Sequence, residues 1–419
     1  MPKTSSRGVA LAALEEWRGG KKFADAILGE RLRSGGLSPA DRAFVTELFY
    51  GVLRNLTLLD FWICCLRSGH LDHGSRDLLR LGLDQLFLLE TPAHAAIYET
   101  VELADRRNRA LINGVLRNAL RGKADLLERA ASQDLAVRGS HPQFLVDRWK
   151  KNFGAEETER LCEWNNCPPV IYARINRLKI SEVEFLTKVG PARRADRTPQ
   201  RSVPANFIQL TTVPHEALAA GHCYIQDPST AAACSLLDPQ PGERVLDACA
   251  APGGKTGYLA ELMKNDGVIV ACDRDESRVK ILRDNLDRLG VTITRCVYHD
   301  WTSGKPFEDT AGFDRILVDA PCSNTGVMRR RVDVRWRLTP EDFSRMPALQ
   351  TRILRAVEPL LKPGGTLVYS TCSLEPEENE QVTAGILQKG RFRKVAGETS
   401  VLPFRDGLDG AYAAKLLRQ

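Results

Sequence analysis

The chain has 419 residues, 43% hydrophobic and 27% charged, an ordinary globular balance with room for two or three domains. Its first apolar run, from Val9 to Leu14, is broken at once by Glu15 and Glu16, which excludes a signal peptide or membrane span there, so a cytoplasmic protein without membrane contact is expected. Eleven cysteines in no regular framework should be reduced thiols; with no Cys-x-x-Cys pair and seven scattered histidines no metal is expected, and the net charge of +6 mildly favours an anionic partner.

From Arg7 to about Lys123 the pattern is helical almost throughout. Ser38-Pro39-Ala40-Asp41 is a capping signature with proline at the first helical position, followed by Phe44, Val45, Leu48, Phe49 and Val52 on one face. Leu58 to Leu66, Leu78 to Leu89 and His94 to Asp105 continue the helical periods. The helix from Asn108 to Arg121 should bury Leu111, Ile112, Val115 and Leu116. Arg109, Asn113 and Arg117 recur four apart on its other side, with Arg106 and Arg107 just before it. Such a row is more often a solvated face; it becomes an RNA phosphate contact if the rest of the chain acts on RNA.

From His141 to about Leu218 the composition changes. A strand-like Val170–Asn176 run, a helical Ser181–Val189 and a basic loop from Pro191 to Arg201 suggest a small α+β domain. Asp227-Pro228-Ser229 then caps a helix of small residues ending near Leu237. The expected domains are 1–138 (all-helical), 139–222 (small α+β) and 223–419 (α/β).

The third of these opens on Glu243–Thr256. Val245 and Leu246 read as a buried strand closed by Asp247, Pro252-Gly253-Gly254 as a tight turn, and Lys255–Met263 as a helix. Strand, glycine turn and helix N-terminus in succession make a ligand cradle, because glycines let the backbone approach and the first helical N–H groups are free. Strands at Gly267–Asp273, Val291–Tyr298, Phe313–Asp319 and Gly364–Ser370 alternate with helices at Glu276–Leu289, Pro340–Leu361 and Glu377–Gln388. That rhythm predicts a Rossmann-like, doubly wound, mostly parallel sheet with ligands beyond the carboxyl ends of its strands.

Asp247, Asp273, Asp300 and Asp319 all fall on that edge. One such acid is often only a helix cap; four around one glycine turn are harder to dismiss as caps, and Asp273 is placed where a carboxylate can accept both hydroxyls of a ribose. The turn Ala250-Ala251-Pro252-Gly253-Gly254-Lys255 supplies neither the dinucleotide fingerprint nor a P-loop. A nucleoside cofactor without a pyrophosphate remains, and S-adenosyl-L-methionine fits. Cys322 and Cys372 follow two of the strands. A cysteine there is usually a small buried hydrophobe, but two beside a cofactor edge can serve as nucleophile or base. Carbon 5 of a pyrimidine accepts a methyl group once a thiolate has added at carbon 6. Two thiols and an acid form a coherent set for that reaction.

Leu246-Asp-Ala-Cys-Ala-Ala-Pro-Gly-Gly-Lys-Thr256, Asp319-Ala-Pro-Cys-Ser-Asn-Thr-Gly326 and Ser370-Thr-Cys-Ser-Leu-Glu-Pro-Glu-Glu-Asn-Glu380 resemble the signature blocks of the RNA (cytosine-5) methyltransferases. The resemblance implies that Cys372 is the nucleophile and that Cys322 helps to release product. DNA cytosine methyltransferases use the Pro-Cys thiol to attack, so these roles rest on the family and not on spacing. It also implies cofactor contacts from Cys249, Ala250, Ala251, Pro252, Gly253, Gly254 and Lys255 with Asp273, Asp300 and Asp319, Asp319 facing the cytosine ring as well.

The first 120 or so residues resemble the antitermination factor NusB, an RNA-binding fold, and the fusion resembles bacterial enzymes that methylate small-subunit ribosomal RNA. Arg106, Arg109 and Arg117, together with Arg329, Arg330, Arg331 and Trp336 in the arginine-rich loop after the Pro-Cys block, are then expected to touch RNA. Relatives often carry a His-Pro pair where this chain has Val332-Asp-Val-Arg-Trp336. The expected protein is a monomeric methyltransferase acting on carbon 5 of a cytidine in ribosomal RNA. Transfer RNA as the substrate, and an RNA-binding assembly factor without turnover, stay open beside it.

Overall fold

The computed structural model describes residues 5–33, 36–190, 204–309, 311–388, 390–395 and 397–419. The chain divides into two compact units, Met1–Pro168 with Met328–Arg337, and Pro169–Val327 with Leu338–Gln419.

The first unit is all helical. Ser38 caps the helix Pro39–Arg54 by accepting from the Asp41 N–H, and Val45, Leu48, Phe49 and Val52 are buried as the pattern demands. The helices His73–Phe87 and Arg109–Arg121 meet at Gly82, where an added Cβ would stand 2.6 Å from Leu116 Cδ2. Ile112, Val115 and Leu116 are buried; Leu111 is half-buried, and Arg106, Arg109 and Arg117 are exposed.

Two expectations change in this unit. The helices Gln143–Phe153 and Ala155–Asn166, assigned from sequence to the small domain, belong to the helical unit. The end of the second helix is tied into that unit: Asn166 Nδ2 donates to Gly139 O at 2.7 Å, and Asn165 O and Asn166 Oδ1 both accept from Arg335. The arginine-rich loop is also part of this fold rather than a free RNA grip. Arg335 is fully buried, donating to Asn166 Oδ1 at 2.7 Å, Asn165 O at 2.9 Å and Ser140 O at 3.2 Å. Trp336 Nε1 donates to Leu53 O at 2.7 Å, and the buried Arg329 guanidinium stacks 3.8 Å from the Trp164 ring centre. The Arg335 and Arg329 guanidinium groups, buried in this way, cannot reach a phosphate without opening the unit, and Trp336 is half-buried. Arg330 is half-buried, and only Arg331 of the expected loop contacts is exposed.

In the second unit β1 (Ile171–Ile175) pairs antiparallel with both β2 (Phe207–Leu210) and β3 (Cys223–Ile225). The helix Glu182–Val189 starts in a reciprocal capping box between Ser181 and Glu184 and buries Phe185. The expected basic loop from Pro191 to Arg201 lies outside the described residues.

The large sheet has eight strands: β4 (Arg244–Asp247), β5 (Val268–Asp273), β6 (Thr294–Tyr298), β7 (Phe313–Asp319), β8 (Leu361–Thr371), β9 (Phe392–Lys394), β10 (Thr399–Val401) and β11 (Ala411–Arg418). Their order is β10-β11-β8-β7-β4-β5-β6, with β9 also on β11. β4 to β8 run parallel; β11 lies antiparallel to β8, with Tyr412 opposite Thr371. Both faces are buried, one under Leu259, Leu282 and Leu286, the other under Ile353, Leu354 and Val357. β4 has β5 on one side and β7 on the other, so the strand order reverses there. That is where an open α/β sheet forms its ligand crevice.

Candidate active site

The sheet brings the four predicted acids and both predicted cysteines to one edge. Asp247, Asp273 and Asp319 end β4, β5 and β7; Asp300 lies two residues beyond β6, Cys322 three beyond Asp319, and Cys372 directly after β8.

The glycine turn is shaped by what packs beneath it. Gly253 has φ +104°, and a Cβ there would stand 2.9 Å from Leu282 Cδ1; at Gly254 a Cβ would meet Tyr224 Cε1 at 2.8 Å. Side chains are therefore excluded from both positions, and the backbone of Cys249 to Lys255 is left as the surface of the cradle. Two side chains from the next helix hold it: Arg278 Nη2 donates to Ala251 O at 2.6 Å and Asn285 Nδ2 to Pro252 O at 2.9 Å.

Around the cradle the acids differ in environment. Asp247 is fully buried; Thr256 Oγ1 donates to its Oδ2 at 2.7 Å, whereas among the described residues no donor lies within hydrogen-bond geometry of Oδ1. Burial, opposed by that bond, pushes its carboxyl up to about 7. Asp273 is 4% exposed and accepts from the Asp275 N–H at 3.2 Å, with Arg278 Nη1 3.3 Å from Oδ2. Asp300 accepts from the Thr302 hydroxyl at 2.7 Å and the Thr302 N–H at 2.8 Å, and these bonds hold its carboxyl below the usual range. An orphaned acceptor, a backbone cradle closed to side chains and a carboxylate at the second strand fit a nucleoside ligand. Among the described residues no group of three or more His, Cys, Asp or Glu is placed to hold a metal ion.

Asp319 is the hinge of the reactive half. Lys255 Nζ lies 2.7 Å from its Oδ2, and Ser370 Oγ donates to its Oδ1 at 2.7 Å. Burial pulls the Lys255 ammonium down, but the Asp319 charge outweighs it and leaves the group above its ordinary value. Beyond Asp319 the sulfurs of Cys322 and Cys372 lie 3.2 Å apart. Cys372 is half-buried and donates from Sγ to Asn324 Oδ1 at 3.3 Å, while Asn324 Nδ2 donates to Cys322 O at 2.9 Å. Cys322 is buried, and its bond to Cys372, its burial and the nearby Glu378 push its thiol well up.

Sequence reasoning left Asn324, Ser370 and Arg278 without roles. The first two stand inside the quoted blocks, where partnership with a cysteine or an acid has no spacing signature. Arg278 looks like any exposed helix residue until its helix is packed. The RNA-directed Arg106, Arg109 and Arg117 are carried by the helical unit, where Arg117 Nε donates to Asn113 Oδ1 at 2.9 Å and Arg109 Nε to Ala104 O at 3.1 Å.

Fold and site together define an S-adenosyl-L-methionine-dependent methyltransferase. Family models match along the chain: NusB over residues 4–121, a ferredoxin-like domain of the RsmF/B type over 141–193, and 16S rRNA methyltransferase RsmB/F over 234–417. The chain is 37% identical to the probable ribosomal RNA small subunit methyltransferase B of Bacillus subtilis, covering 93% of this chain and 89% of that one. It is 36% identical to the ribosomal RNA small subunit methyltransferase B of Yersinia pseudotuberculosis, covering 99% and 98%. The solved protein PH0851 superposes with a TM-score of 0.78 at 26% identity over 99% of both chains. A methyltransferase homolog from Pyrococcus horikoshii does so at 0.59 and 33% identity, over 68% of this chain and 97% of that one. The chain belongs to the 16S rRNA methyltransferase RsmB/F family.

Proposed function

We propose that this methyltransferase acts on carbon 5 of a cytidine in small-subunit ribosomal RNA through a covalent bond between Cys372 and carbon 6. The observation that carries this reading is the 3.2 Å approach of the two sulfurs at the ends of adjacent parallel strands, beside an acid held by both Lys255 and Ser370. Methylation of an exocyclic nitrogen needs neither thiol.

When bound, S-adenosyl-L-methionine supplies a methyl group on a positively charged sulfur. The backbone of Cys249 to Lys255 holds it, with Asp273 accepting from the ribose hydroxyls and Asp300 facing the same crevice. Cys372, the more exposed thiol, loses its proton and adds to carbon 6, placing electron density on carbon 5 and on ring nitrogen 3. The Lys255–Asp319 pair offers the acid that neutralises nitrogen 3. Carbon 5 takes the methyl group. A base then takes the carbon 5 proton, the C–H electron pair re-forms the carbon 5–carbon 6 double bond, Cys372 leaves as a thiolate with the carbon 6–sulfur pair, and the nitrogen 3 proton returns to the Lys255–Asp319 pair. Cys322 serves this last step, as the family resemblance implies, and its raised thiol keeps it from competing as the attacking sulfur.

Arg106, Arg109 and Arg117 are the phosphate contacts proposed on the helical unit. Mass spectrometry of nucleosides from small-subunit ribosomal RNA methylated in vitro tests the reading. The expected product is 5-methylcytidine; N4-methylcytidine, or methylation of transfer RNA in preference, would contradict it.

A further inference from the structure

Beneath the two cysteine loops lies a carboxylate to which neither the reaction nor the cofactor has given a task. Glu378 is fully buried. Its Oε2 accepts from the Ser323 N–H at 2.9 Å and from Gln350 Nε2 at 2.9 Å, and its Oε1 accepts from Ser373 Oγ at 2.7 Å. Ser323 follows Cys322, and Ser373 follows Cys372. The two serine hydroxyls are themselves 3.0 Å apart, Gln350 Nε2 also donates to Pro321 O at 3.0 Å, and Tyr369 OH donates to Glu378 O at 2.6 Å. Every donor is neutral, and among the described residues Glu378 has no ion pair.

A buried carboxylate without a counter-ion is costly, and an apolar side chain or an amide would fill the same space more cheaply. What only a carboxylate supplies here is two acceptor oxygens and no donor. One oxygen is engaged by the loop of Cys322 and the other by the loop of Cys372. We propose that Glu378 is a positioning residue, tying the two cysteine loops together and thereby fixing how closely the sulfurs approach. Its negative charge also contributes to the raised thiol of Cys322.

The inference rests on the thiol mechanism proposed above, and its test separates the two. Glu378→Gln and Ser373→Ala are each combined with Cys322→Ala, in which the covalent complex with RNA should accumulate. Cofactor affinity is followed by calorimetry, and adduct formation on a small-subunit RNA fragment by denaturing gel. A displaced reacting group costs up to about 10²-fold in rate. Glu378→Gln should therefore slow adduct formation by roughly 10–10²-fold, and Ser373→Ala by less, while cofactor affinity stays within about twofold. In the enzyme with both cysteines, Glu378→Gln should also move the pH profile of Cys322 alkylation by iodoacetamide to lower pH, a readout that mere loss of packing would not shift this way. Unchanged adduct rates, or rates that fall only in step with cofactor affinity in both variants, would overturn the positioning role. No adduct in Cys322→Ala alone would overturn the thiol mechanism, and this role with it.

Discussion

Lys255 Nζ lies 2.7 Å from Asp319 Oδ2, joining the first turn of the cofactor helix to the end of the strand that leads into the Pro-Cys loop. One ion pair thus ties the glycine-turn cradle to the strand end that leads to Cys322. Lys255→Met should leave Asp319 with Ser370 as its remaining partner. Losing one preorganised charge at a reacting centre costs about 10²–10³-fold in rate. A single-turnover methylation assay should show a loss of that size; a variant within about threefold of the parent would remove the pair from the chemistry.

Asp273→Ala should weaken the cofactor, because a ribose hydroxyl pair loses its acceptor. A hydrogen bond to a charged group is worth roughly 1.5–3 kcal/mol, which is about 10–10²-fold in Kd. Calorimetry with S-adenosyl-L-homocysteine checks this, and unchanged affinity would take Asp273 out of the site.

Asp247 makes stability depend on pH in an unusual direction. Its folded-state carboxyl sits at about 7, above the ordinary value of 3.8, so between these limits the folded protein binds a proton that the unfolded chain has released. Stability from this group is then highest at the acid end and falls as pH rises toward about 7, by at most ~1.4 kcal/mol per pH unit. Asp247→Asn should flatten that limb of the profile while keeping an acceptor for Thr256. Urea unfolding of parent and variant at pH 5 and pH 7 reads it directly, and equal slopes would refute the assignment.

The arginines divide into two sets with opposite expectations. Arg335→Ala removes a fully buried guanidinium and leaves Asn165 O, Asn166 Oδ1 and Ser140 O without their donor, which should destabilise the helical unit by about 1–3 kcal/mol for each acceptor that stays unsatisfied. Arg109→Ala with Arg117→Ala should leave stability within about 0.5 kcal/mol and lower the slope of log affinity against log salt for RNA by roughly 0.7–0.9 for each phosphate no longer neutralised. An unchanged slope would free the helix of any part in RNA binding.

Much of this site was legible because its chemistry is held in short runs. Val245 to Thr256 reads as strand, turn and helix from glycine, proline and apolar order alone, and Asp319-Ala-Pro-Cys322 and Ser370-Thr-Cys372 are contiguous. The arginine loop misled because a row of arginines around a tryptophan looks the same whether solvated or buried. Arg335 finds carbonyl acceptors from residues about 170 and 195 positions away, a match no local pattern carries. β11 went unread for a different reason: Ala-Tyr-Ala-Ala-Lys-Leu-Leu-Arg has helical composition, and only pairing with β8 makes it a strand. Glu378 was hidden in Glu375-Pro-Glu-Glu-Asn-Glu380, which reads as a solvated acidic first turn. The helix in fact begins at Glu380, and both Glu375 and Glu378 are buried.

The division of labour between the two sulfurs is tested most directly by incubating Cys322→Ala and Cys372→Ala with S-adenosyl-L-methionine and small-subunit ribosomal RNA, then running denaturing gels. Cys322→Ala should attack and methylate but fail to release, leaving a protein–RNA complex that survives denaturation. Cys372→Ala should bind cofactor and form no such complex. A trapped complex with Cys372→Ala instead, or with neither variant, would contradict Cys372 as the attacking thiol.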